Sequence, residues 1–134
     1  PDHSPAGWKP TTIPPNTTIK IDGSRQALER AVLIEVVKVE RAVDVPVPSP
    51  LGALMLKAAA YRADNRDRDR HVYDAALLAS LITDPGAVRE SFKGSDCKRL
   101  RALDEALGDG GHRAWKVLGE HGEDAFARWK RLTS

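Results

Sequence analysis

Residues 46–82 read PVPSPLGALMLKAAAYRADNRDRDRHVYDAALLASLI, and they decide what kind of fold the chain builds. Ser49 followed by Pro50 is a helix-start signal, because a hydroxyl at the N-cap accepts a backbone amide and proline at the first helical position has no amide to satisfy. Leu51, Leu54, Met55, Ala58 and Tyr61 recur at three- and four-residue spacing, which buries one face of this helix. The alanines at 58–60 let another element come close. Arg62 to Arg70 alternates in sign, the pattern of a solvated turn, and ends the helix. A second helix, from about Asp69 to Ile82, carries Val72, Ala75, Ala76, Leu78, Ala79 and Leu81 and is expected to be the most buried of the set.

Upstream of this pair the periodicity changes. Ala27 to Val39, ALERAVLIEVVKV, is rich in valine and isoleucine and reads as a strand. Glu40-Arg41 makes a turn into Ala42–Val47, where Pro46 confines the strand to an edge or an end. Thr17–Ile21 alternates polar and apolar residues and reads as a further short strand before the Asp22-Gly23 turn. Residues 1–16 hold five prolines and form an extended entry segment with Trp8 and Ile13 as anchors. An isolated ribbon of this size is marginal, so it is expected to pack on the helices that follow.

Downstream, Asp84-Pro85 starts a short helix through Phe92, and Ser95 or Asp96 caps another in which Cys97, Leu100, Leu103 and Leu107 share a stripe. Gly108–Gly111 is a loop, and His112–Leu118 and Glu123–Leu132 are final helices anchored by Trp115, Leu118, Phe126, Trp129 and Leu132. The fold class is therefore α+β: a short antiparallel sheet edge of two or three strands, then a bundle of about five or six helices. Residues 1–48 form the entry segment and hairpin, and residues 49–134 the helical domain.

At 134 residues the chain suits one core, and 41% hydrophobic with 30% charged residues excludes wholesale disorder. The net charge of +2 comes from interspersed signs, which is no nucleic-acid signature. The single cysteine, Cys97, excludes an internal disulfide and points to a reducing, cytoplasmic compartment. No apolar run reaches the ~20 residues of a membrane span.

Four side chains of the central pair are the chemical candidates. Lys57 sits among apolar residues, where an unpaired ammonium is costly. It either pairs with a carboxylate of the next helix, Asp74 being the natural one, or offers a point charge to a phosphate. Arg70 and Asp74 are spaced to share a helix face, with His71 beside them as a possible acid or base. An i, i+4 ion pair of Arg70 with Asp74 is the plain structural alternative.

These residues, Pro48-Ser49-Pro50-Leu51, Leu54 and Lys57, then Arg70-His71-Val72-Tyr73-Asp74 and Leu77-Leu78, resemble the region after the catalytic core in nucleotidyltransferases of the AbiEii and minimal nucleotidyltransferase type. The resemblance covers residues 27–82. It implies a protein that transfers a nucleotidyl group from a nucleoside triphosphate with magnesium, in a toxin–antitoxin or defence setting. It also implies that Lys57 and Arg70 bind nucleotide and that Asp74 and His71 are catalytic. His71 departs from the pattern, which commonly has Asp there. The Asp-x-Asp pair that holds the metal has no counterpart: Gly23-Ser24 precedes Glu35-Val36-Val37, whose second carboxylate position is Val37. The metal carboxylates are therefore expected upstream of Pro1, and activity requires that the complete protein supply them. No P-loop, dinucleotide glycine pattern or His-Glu-x-x-His helix occurs. The competing readings are a non-catalytic helical module docking a partner protein, and an RNA-binding helical domain using Lys98, Arg99, Arg101, Arg128, Lys130 and Arg131.

Overall fold

In the computed structural model, which describes residues 23–39 and 41–134, Ser49 does what its position predicts: its hydroxyl accepts the Gly52 amide at 3.2 Å. Helix α2 (Pro50–Ala63) starts there and runs antiparallel to α3 (Arg68–Ser80), so that residue 57 pairs with 74 and residue 64 with 71. Before them come α1 (Ser24–Leu28), β1 (Ala31–Lys38) and β2 (Arg41–Pro48); after them α4 (Pro85–Glu90), α5 (Asp96–Leu107), α6 (Arg113–Lys116), a 3-10 turn (Gly119–His121) and α7 (Gly122–Thr133). The architecture is α+β, with a two-stranded antiparallel sheet leading into the helices. The expected strand at 17–21 and the anchors Trp8 and Ile13 lie outside the described residues.

The core lies between α2, α3, α5 and α7. Leu54, Met55, Ala58, Ala75, Ala76, Leu103, Leu107 and Trp129 are fully buried. Alanine on both α2 and α3 keeps their axes close, while the two indoles fill the wider space beside α5 and satisfy their N–H groups. Trp129 donates to Asp104 Oδ1 at 2.7 Å and Trp115 to the Leu107 carbonyl at 3.1 Å. Asp84 caps α4 by accepting from Ala87 N at 3.0 Å, with Pro85 at the first helical position.

Four expectations are corrected. The stretch 27–39 is not one strand: α1 takes Ala27 and Leu28, and β1 begins only at Ala31. Ala27 is buried and its carbonyl and Cα lie near Gly52 of α2, a tertiary contact that outweighs the local strand preference. In α5 the inward residue is Asp96, fully buried, and Cys97 is exposed. Third, α3 is not the most buried helix: it buries four residues against six in α2, and Leu77 and Leu81 face outward. Fourth, the hairpin does not lie down on the helices. Only its stem leans on α1 and α2, and Val32, Leu33, Ile34, Val36, Val37 and Val43 stay exposed.

The stem is held by charge. Asp96 accepts Arg30 Nη2 at 2.5 Å and the Lys93 amide at 2.8 Å, and Ser49 N donates to Arg30 O at 2.9 Å. Arg30, just before β1, thus binds the hairpin to the start of α5 across 66 residues of sequence.

Candidate functional site

Antiparallel packing of α2 on α3 gives one flank of the pair a short polar strip. Lys57 Nζ lies 2.6 Å from Asp74 Oδ2, with the two side chains 32% and 35% exposed. The ammonium is neither sealed in the bundle nor free in water. Lys57 thus reaches the strip with its amine while part of its side chain stays in water. Asp74 therefore faces Lys57 rather than Arg70, and the Arg70–Asp74 pair does not form among the described residues.

At the other end of the strip His71 Nε2 meets Asp64 Oδ2 at 3.2 Å. Asp64 Oδ1 also accepts the amides of Arg66 at 2.8 Å and Asp67 at 3.4 Å. These contacts hold the Asp64 carboxyl below its ordinary range, the Arg66 amide foremost, then the hydrogen bond from His71, against a smaller opposing effect of burial. Arg68 stacks its guanidinium 5.3 Å from the Tyr61 ring centre and donates Nε–H to the Asp64 carbonyl. The segment 62–70 is thus a hydrogen-bonded turn, with Asp67 accepting from Arg70 N at the start of α3.

Of the four predicted residues, the structure brings Lys57 and Asp74 together. His71 is engaged by Asp64, and Arg70 is exposed with no side-chain partner among the described residues. Asp64 and the Arg30–Asp96 pair escaped sequence reasoning. Asp64 stood in a charge run, and nothing local to Asp96 signals a cation 66 positions away.

An open groove of about 590 Å³ lies at the base of the hairpin, lined among others by Arg30, Val32, Pro50, Leu51, Leu81 and Lys93. Lys57 is seven residues along α2 from Pro50, roughly 10 Å of helical rise, and does not line it. Among the described residues no group of three His, Cys, Asp or Glu side chains is placed to hold a metal ion. Nor is any described helix long and apolar enough to cross a membrane.

No family model, curated protein or solved structure matches the chain. The chemistry open to it follows from the contacts themselves. An ammonium held by one carboxylate, on a side chain a third exposed, is a charge in a defined place, reachable by an anion, with the carboxylate fixing its direction. On the late helices, Arg128 donates Nη1–H to the Ser80 carbonyl at 2.8 Å, which ties α7 to the end of α3.

Proposed function

We propose that this chain is the C-terminal part of a nucleotidyltransferase-like protein, which in its complete form moves a nucleotidyl group from a magnesium–nucleoside triphosphate, in a toxin–antitoxin or defence setting. The observation that supports the reading is the exposure that Lys57 keeps: although Nζ is bridged to Asp74 Oδ2 at 2.6 Å, a third of the side chain stays in water on the flank of the α2–α3 pair, where an anion can reach it. In this reading Lys57 is the point charge for a phosphate oxygen, Asp74 the positioning residue that aims it, and Arg70, free to swing, a second phosphate contact. His71, tied to Asp64, fixes the turn from which Arg70 projects rather than moving a proton. In this reading the metal carboxylates come from another part of the complete protein.

The test is nucleotide binding with magnesium by the product of the complete reading frame. Lys57→Ala is expected to weaken it about tenfold or more, the usual worth of a hydrogen bond to a charged group, and Asp74→Asn less. Equal affinity in the parent and both variants overturns the assignment. A second reading, a non-catalytic module that docks a partner protein, draws on Leu77 and Leu81, which stand exposed one turn apart at the end of α3. Its mark is partner binding that survives Lys57→Ala and is lost in Leu77→Asp.

A further inference from the structure

The two edges of the hairpin are not equivalent. Ala31 stands opposite Pro48, Leu33 opposite Pro46 and Lys38 opposite Arg41, and the bond from Ser49 N to Arg30 O fixes which pairs exchange hydrogen bonds. By strict alternation the pairs made by residues 32, 34, 36 and 38 are bonded, and those made by 31, 33, 35 and 37 turn their N–H and C=O groups outward. On β2 the outward positions include Pro46 and Pro48, which have no N–H to offer. On β1 they are Ala31, Leu33, Glu35 and Val37, all donors. So β2 is blocked along its stem half, and among the described residues β1 is open along its whole length. No described element other than β2 packs extensively on β1, and Leu33 and Val37 are 69% and 65% exposed.

Side chains define what fits. One face of the hairpin carries Val32, Ile34 and Val36 opposite Val47, Val45 and Val43, an unbroken apolar surface that meets the groove at Val32. The other sets Glu35 directly opposite Asp44, like charges with no ion pair among the described residues. A strand added beside β1 would complete the amide ladder, extend the apolar face, and offset the carboxylates if it carried a cation next to Glu35.

We propose that the outer edge of β1, not that of β2, receives a β-strand from the nucleotide-binding sheet of the complete protein. That strand has apolar residues beside Val32, Ile34 and Val36 and a lysine or arginine beside Glu35. This rests on the nucleotidyltransferase-like reading. Site-resolved hydrogen exchange tests it, comparing the 134-residue chain at two concentrations with the complete protein. In the complete protein the amides of Leu33, Glu35 and Val37 are expected to slow by about a hundredfold, while those of Ala42 and Asp44 on β2 do not change. Glu35→Pro, which removes one outward amide and none of the hairpin's own bonds, abolishes the slowing; Asp44→Pro leaves it. Fast exchange at Leu33, Glu35 and Val37 in the complete protein overturns the proposal. So does equal slowing in the 134-residue chain: if it grows with concentration the strand comes from a second copy, and if not, from within the chain. Magnesium–nucleotide binding on the same samples separates the two claims. Binding without slowing removes the edge assignment alone, and slowing without binding leaves a β1 edge that serves a sheet of another function.

Discussion

At Asp64 one carboxylate ends α2, holds the turn and engages His71 of α3. Its pKa is depressed below the ordinary 3.8, so its contribution to stability is complete above that value and is lost as pH falls through the lower folded value. Asp64→Asn is therefore expected to lower the urea midpoint near neutrality, with the gap to the parent closing as pH falls below about 4. A gap constant across that range would mean the carboxylate charge is idle. Val39 is a different case of local cost. It occupies the hairpin turn with φ of 57°, a region that a β-branched side chain resists. Val39→Gly is expected to raise stability by up to about 1 kcal/mol, read as a rise of about 3 °C in Tm.

Between elements the decisive contact is Arg30 with Asp96, which fastens the hairpin stem to α5. Asp96 is fully buried, so removing only the cation leaves a carboxylate without its counter-charge. Arg30→Met is expected to cost about 3 kcal/mol or more by chemical denaturation, and Arg30→Met with Asp96→Leu to recover much of it. This pair also marks where sequence stops being informative. The caps Ser49-Pro50 and Asp84-Pro85 and the limit that Pro46 sets on β2 were legible because each rests on its own backbone chemistry. The helix at Ala27 and the inward turn of Asp96 were not, because a partner far along the chain decides both. Lys57 and Asp74 were legible as a pair because two adjacent helices with a short turn must run antiparallel. That His71 would leave them for Asp64 depends on the path of the turn, which charge alternation does not encode.

Across the whole molecule, α7 closes the bundle by packing on α3, α4, α5 and α6, and its entry is sterically fixed. Gly122, the first residue of α7, stands so close to α6 that a Cβ there would collide with the Trp115 carbonyl oxygen. The obstacle is backbone, so no rotamer relieves it, and α7 must shift away from the core that holds Trp129. Gly122→Ala is therefore expected to cost about 3 kcal/mol and to weaken the near-UV circular dichroism of Trp115 and Trp129. Gly119 supplies the contrast three residues earlier: its φ is 59° but nothing lies within 4 Å of a Cβ. Gly119→Ala carries backbone strain alone, about 1–2 kcal/mol, and should leave the aromatic signal unchanged. If both variants lose stability equally and keep that signal, α7 is not seated against α6 by this contact. If only Gly122→Ala loses the signal, the seat is the Trp115 carbonyl, and the closure of the bundle depends on the absence of one methyl group.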